Sequence, residues 1–111
     1  MANRRNEEEM KEKTEVVVRC AREMLAGAIG VIEGSRILAR LRCDVGDGDF
    51  DPDFLPFVAI DSETDHLPVG TVRDYWDRDA LAAKDLEIGE AEAFHREAAL
   101  VACRRLVERF G

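Results

Sequence analysis

Apolar residues recur at helical spacing near the start of the chain. The first stripe consists of Val17, Cys20, Ala21, Met24, Leu25 and Ala28, at offsets of 3, 4, 7, 8 and 11, which is typical of the buried face of an α-helix. Asn6, followed by three glutamates, predicts the helix start, because a capping side chain and negative charge both stabilise its unpaired N–H groups. Residues 1–12 are expected to be either a frayed end or a charged extension of this helix.

Two glycines interrupt the pattern after the first stripe. Gly27 and Gly30 each cost about 1 kcal/mol relative to alanine inside a helix, so they predict a break or tight turn. A second helix should follow and end near residues 43–46. Its apolar stripe consists of Val31, Ile37, Leu38 and Leu41. Gly34 lies within it, where two helix backbones could approach closely.

Residues 44–70 contain all three prolines and show no clear period, so an irregular segment is expected. The segment nevertheless holds a dense apolar set, Phe50, Phe54, Leu55, Phe57, Val58 and Ile60. Burying each such side chain stabilises the fold by about 1.5–3 kcal/mol, which favours a packed segment over a mobile one. Residues 57–60 fit a turn of helix slightly better than a short strand.

The last third of the chain is again helical in pattern. Thr71 and Asp74 resemble a capping box and predict a short helix through Tyr75 and Trp76. A longer helix capped by Asp77 or Asp79 should follow, with one face formed by Ile88, Ala99, Cys103, Leu106 and Phe110. The sequence therefore predicts one all-α domain over residues 1–111, a compact bundle of about four helices with a long packed acidic loop between the second and third.

The negative charge of the protein is concentrated in one segment. The 16 Lys+Arg and 24 Asp+Glu give a net charge of −8. Residues 44–65 hold eight acids and no Lys or Arg, whereas the remainder of the chain is balanced. A phosphate backbone would be repelled by such a surface, so nucleic acid is not an expected partner, whereas a basic protein would be attracted.

The sequence also restricts compartment and thiol chemistry. It has neither the roughly 20 consecutive apolar residues of a membrane span nor the apolar core of a signal peptide, which predicts a cytoplasmic protein without a membrane partner. Reduced cysteines are therefore expected. Cys20 and Cys103 fit buried positions on helices, and Cys43, beside Arg42, is the one candidate for a reactive thiol.

Two patterns suggest metal binding, but neither is complete. Glu92 and His95 have the Glu-x-x-His spacing of di-metal carboxylate bundles, which require that motif twice. The alternate acids of residues 47–53 resemble calcium ligands, but an EF-hand frame would place Pro52 at its glycine position and Val58 at its glutamate position. An irregular calcium site stays open, and the sequence predicts no cofactor.

The interpretation that we favour is a non-enzymatic protein-binding module, immunity-like or antitoxin-like, without catalytic residues. Its expected contact residues for a basic partner are Asp47, Asp49, Asp51, Asp53, Asp61, Glu63, Asp65, Tyr75 and Trp76. The alternative is a small-ligand or metal-binding domain, which could also be an enzyme. Its site would be built around Asp61, Glu63, Asp65, His66 and His95. A homodimer through an exposed stripe of the last helix is a third possibility.

Residues 54–68, FLPFVAIDSETDHLP, together with Arg73, Trp76 and the last helix, resemble a family of small bacterial proteins of unknown function. The resemblance covers residues 16–110 and is most specific over residues 61–68. It implies a compact, mainly helical protein of the bacterial cytosol. It implies no activity and no catalytic residues.

Overall fold

Five helical segments make up the structure, a computed structural model that describes residues 4–111 and the side chains of residues 7–111. They are α1 (Arg4–Leu25), α2 (Val31–Val45), α3 (Leu55–Thr64), a 3₁₀ helix (Gly70–Tyr75) and α4 (Arg78–Phe110). No strand occurs in the described range. The predicted all-α fold with four main helices is therefore confirmed.

Helix α1 starts earlier than the sequence indicated. It begins at Arg4, so Asn6 lies inside the helix instead of capping it. Residues 4–12 continue the helix, and residues 1–3 of the expected extension lie outside the described range. The predicted stripe is buried at Val17, Cys20, Ala21 and Met24, whereas Ala28 follows the helix end and is exposed.

A short turn joins α1 to α2 at the predicted glycines. Gly27 has a φ of +76°, a conformation that residues with a Cβ adopt rarely. Gly34 allows α1 and α2 to approach closely, because a methyl group there would lie 2.6 Å from Cγ of Met24. The predicted close approach is thus present, and Met24 fills the space above the glycine.

The segment 44–70, expected to be irregular, contains the ten-residue helix α3. Pro56 lies in its first turn, where the missing N–H of proline has no helical partner to lose. Phe57, Ile60 and Thr64 are buried and are spaced by three and four residues, so they form one helical face. The surrounding apolar residues hid this period, which explains why the sequence indicated only a turn.

The 3₁₀ helix and α4 follow the predicted order with different caps. Val69 precedes the 3₁₀ helix without a capping side chain, so the capping box expected at Thr71 does not form. Asp77 occupies the cap position of α4, but its side chain makes no capping hydrogen bond. Tertiary packing therefore stabilises these helix starts more than the local motifs do.

The helices pack around one core. Helix α1 packs against α2 and α4, and α3 packs against α2 and α4. The buried residues of α4 are Ala99, Ala102, Cys103 and Leu106, all in its C-terminal half. With its 33 residues, α4 spans about 50 Å and sets the 54 Å long axis of the molecule. Within the described residues, no helix is long and apolar enough for a membrane span.

Candidate functional site

The loop between α2 and α3, residues 46–54, carries the central part of the acidic segment, and we call it the acidic loop. Asp51 is buried at its centre. Its carboxylate accepts hydrogen bonds from the backbone N–H groups of Asp47, at 2.7 Å, and Asp53, at 3.0 Å. The expectation that Asp51 contacts a partner is therefore wrong, because its carboxylate binds the loop's own backbone.

Arg109, in the last turn of α4, holds the acidic loop to the bundle. Its Nη1 lies 2.9 Å from both carboxylate oxygens of Asp51 and 2.9 Å from Asp53, and its Nη2 lies 3.1 Å from Asp47. The guanidinium also lies 4.6 Å from the centre of the Phe110 ring. Nothing in the sequence near Arg109 indicates these contacts, because they reach residues 56 to 62 positions away.

The electrostatics of the Asp51–Arg109 pair keep these two groups ionised. Burial raises the pKa of Asp51, but the two backbone N–H groups and the Arg109 guanidinium outweigh burial and lower that pKa below its ordinary value of 3.8. Burial lowers the pKa of Arg109, but the hydrogen bonds and charges of the acidic loop outweigh it and raise that pKa. The Asp51–Arg109 pair is therefore charged throughout the physiological pH range.

Phe50 projects from the acidic loop into solvent. Its exposed fraction is 85%, although the apolar density of the segment predicted that it would be packed. Leu55, also expected inside, is exposed as well. Phe54 is the aromatic residue of the loop that enters the core, since it is fully buried and its ring lies 6.2 Å from that of Phe110. Asp47 and Asp49, on either side of residue 48, are exposed, as contact with a partner would require.

The five residues of the alternative ligand site do not converge. Glu63 pairs with Nε2 of His95 at 3.1 Å, and Asp61 lies 3.6 Å from Nε of Arg36. His66 pairs instead with Glu87 at 2.6 Å, and Asp65 reaches only Nδ1 of His66 at 4.0 Å. These separate pairs join α3 and the segment after it to α2 and α4. Among the described residues, no group of three His, Cys, Asp or Glu could hold a metal ion.

Glu92 stabilises the start of α2 and does not act together with His95. Its two carboxylate oxygens accept hydrogen bonds from the backbone N–H groups of Val31, at 2.7 Å, and Ile32, at 3.1 Å. Gly30 leaves the room for this contact, since a methyl group there would lie 2.8 Å from Oε1 of Glu92. A side chain of α4 thus provides the cap that α2 lacks locally.

Replacing Glu92 with glutamine is expected to lower the free energy of unfolding by about 1 kcal/mol. The amide retains one acceptor for the α2 N-terminus, but it loses the second acceptor and the negative charge. Urea unfolding followed by circular dichroism measures the change. Glu90→Gln, at an exposed position of the same helix, is the matched control and should change stability little. Equal losses for both variants would contradict the capping role.

None of the three cysteines has the environment of an activated thiol. Burial, as the largest cause, raises the pKa of Cys20 to about 11 and that of Cys103 to about 12. Cys43 is exposed, but its hydrogen bond to Asp49 raises its pKa, and this outweighs the opposite effect of Arg42. The sequence-based suggestion that Arg42 activates Cys43 is therefore wrong.

The two adjacent aromatic residues have different environments. Tyr75 is among the most exposed large side chains of the molecule, whereas Trp76 is half-buried. Trp76 lines a cleft of about 500 Å³ between α2 and residues 65–76, together with Arg36, Arg40 and His66. Tyr75 is thus available to a partner, and Trp76 is available only from within this cleft.

Comparison with known proteins adds no family assignment to the four-helix fold. No protein-family model, no curated protein and no solved structure matches this chain. The resemblance of residues 54–68 to small bacterial proteins of unknown function therefore stays a prediction.

Proposed function

We propose that this protein is a non-enzymatic protein-binding module, immunity-like or antitoxin-like, that recognises a basic partner through the acidic loop. The observation that carries the proposal is the exposure of Phe50 between acidic residues on a loop that Arg109 holds in place. An exposed aromatic side chain on an anchored loop is typical of interfaces, where aromatic residues are enriched.

The charge of the loop region supports a basic partner. Five aspartates lie between residues 44 and 53. Among the side chains of residues 7–111, two cations pair with them: Lys13 lies 3.4 Å from Asp44, and Arg109 pairs with the loop aspartates. Three negative charges are left uncompensated by these pairs. Such an excess accelerates encounter with a basic surface and makes the association rate fall as salt rises.

The anchoring of the loop supports tight binding. Asp51 and Phe54, both within the loop, are buried, and a methyl group on Gly46 would lie 2.6 Å from the Asp51 carboxylate. Binding would therefore order few additional residues, which lowers its entropic cost. In this mechanism Phe50 enters an apolar pocket of the partner, and the carboxylates cover a basic site such as that of an enzyme with an anionic substrate.

The test compares immobilised wild-type protein with two variants in capture from an extract of the source cell. Phe50→Ala removes the exposed ring, and Asp47→Asn with Asp49→Asn removes two exposed charges. A basic protein retained by the wild type at low salt should be lost with either variant and at high salt. Mass spectrometry identifies the retained proteins, and circular dichroism confirms that the variants are folded.

Glu7→Gln with Glu8→Gln is the matched charge control. Both residues are exposed on α1, and the double change alters the net charge by the same amount as the loop variant. This control should retain the basic protein. If all the baits retain the same proteins, or if the charge control loses them as the loop variant does, recognition does not involve the acidic loop.

A further inference from the structure

Helix α4 carries a second exposed surface, which we call the outer stripe. It consists of Leu86, Glu90, Phe94, Glu97 and Val101. Offsets of 4, 8, 11 and 15 from Leu86 place these residues on one face of the helix. The buried residues of α4, Ala99, Ala102, Cys103 and Leu106, lie on the opposite face. The outer stripe therefore points away from the core of the bundle.

The apolar members of the outer stripe are large and accessible. Leu86 is 70% exposed and Phe94 is 80% exposed, and Val101 is exposed as well. The Phe94 ring contacts the ring of His95 edge to face, with centroids 4.9 Å apart, so one side of it is already supported. Exposed apolar residues that share one helix face are typical of a protein interaction site.

The acidic members determine which kind of helix fits. Glu90 and Glu97 are exposed, and neither carboxylate pairs with a cation among the described side chains. They lie seven residues apart, as do Phe94 and Val101, which is the repeat of two helices packed along a common seam. A partner helix with the same seven-residue repeat would place one row of its side chains against Glu90 and Glu97 and a second row against Phe94 and Val101.

Two antiparallel registers of a second copy of this chain fit the outer stripe poorly. An antiparallel pairing that matches Leu86 with Val101 also places Glu90 opposite Glu97. Shifting the register to match Glu90 with Arg104 places Glu97 opposite itself and Leu86 opposite Glu108. Like charges facing each other on adjacent helices are destabilising, so both registers select against self-association.

We propose that the outer stripe binds an amphipathic basic helix of another protein. Its apolar residues would contact Leu86, Phe94 and Val101, and its Lys or Arg side chains, seven residues apart, would pair with Glu90 and Glu97. Charge complementarity with Glu90 and Glu97 favours a basic partner. The surface goes beyond the acidic loop, and the proposal does not depend on the loop's function.

A synthetic peptide of about 20 residues tests the proposal. The peptide is an amphipathic helix of Ala, Leu and Lys, with Leu and Lys repeating every seven residues on one face. Its binding to the full chain is measured by fluorescence anisotropy. We expect saturable binding that weakens by about tenfold or more in Phe94→Ala and in Glu90→Gln with Glu97→Gln. The same peptide with Glu in place of Lys should not bind.

Matched variants elsewhere separate the outer stripe from general attraction. Tyr75→Ala removes another exposed aromatic ring, and Glu12→Gln with Glu15→Gln removes two exposed charges of α1; both should bind as the wild type does. Absence of peptide binding, or equal weakening by these controls, would overturn the proposal. So would a wild-type dimer in light scattering that Phe94→Ala converts to a monomer. Every variant in this test keeps the acidic loop as in the wild type, so its outcome is independent of the function proposed for that loop.

Discussion

Asp51→Ala is expected to lower the free energy of unfolding by about 1.5–3 kcal/mol, the usual cost of losing the hydrogen bonds of a buried charged group and leaving its donors unpaired. The substitution removes the acceptor of the Asp47 and Asp53 N–H groups and the buried partner of Arg109. The acidic loop would then be held to α4 only by the contacts of Asp47 and Asp53 with Arg109. Urea unfolding followed by far-UV circular dichroism measures the loss.

Asp49→Ala is the control for this substitution. It removes the same chemical group from the same loop, but the Asp49 side chain is exposed and accepts its hydrogen bond from Cys43. We expect a change within about 0.5 kcal/mol. A loss from Asp49→Ala as large as that from Asp51→Ala would show that the loop is sensitive throughout, and that burial of Asp51 is not the cause.

The Asp51 pair should also make the protein sensitive to acid. Because the folded-state pKa of Asp51 lies below the ordinary 3.8, its contribution to stability is fully present above that value. The contribution is lost as the pH falls through the lowered folded-state pKa, since the proton then binds the native carboxylate as well. Asp51→Asn has no carboxylate at this position, so its free energy of unfolding should fall less than that of the wild type between about pH 5 and 2. Parallel curves of stability against pH for the two proteins would contradict a lowered pKa of Asp51.

Gly34→Ala is expected to destabilise the protein by about 1–3 kcal/mol, although alanine is the better helix former. The added methyl group would lie 2.6 Å from Cγ of Met24 and closer still to its Sδ. Met24 is buried, and its sulfur lies 3.6 Å from Sγ of Cys103. The side chain cannot move aside without disturbing the contact of α1 with α4.

Gly89→Ala makes the same chemical change where there is space. Gly89 lies inside α4 and is exposed, and a methyl group there would contact nothing within 4 Å. Only helix propensity changes, so we expect a gain of about 0.5–1 kcal/mol. The two alanine substitutions should thus shift the midpoint of thermal unfolding in opposite directions. A stabilising Gly34→Ala would contradict the close packing of α1 against α2.

The sequence was most informative where a pattern reports on a single helix. The stripe from Val17 to Met24 identified the buried face of α1, and Gly27 identified its end, because both depend on neighbouring residues only. Helix α3 shows the limit of this reasoning. Its apolar residues are too closely spaced to reveal a period, and its proline occupies the first turn, where it does not break a helix.

The candidate site was only partly predictable. The exposure of Asp47 and Asp49 agrees with their charge, whereas the burial of Asp51 and the exposure of Phe50 reverse what their side chains suggest. An acid can be buried only where donors surround it, and those donors come partly from Arg109, 58 residues away. Likewise, the Glu-x-x-His spacing of Glu92 and His95 could not show that the Glu92 carboxylate binds the N-terminus of α2.

The sequence by itself thus determined the all-α character, the extent of α2 and α4 and the location of the negative charge, since helical period and composition are local properties. The tertiary structure decided which acids are neutralised, which aromatic ring lies outside and which face of α4 is left uncovered. These depend on contacts between residues distant in the chain, where the donors and space provided by one helix determine what another can bury. Both surfaces proposed for binding, the acidic loop and the outer stripe, are defined at that second level.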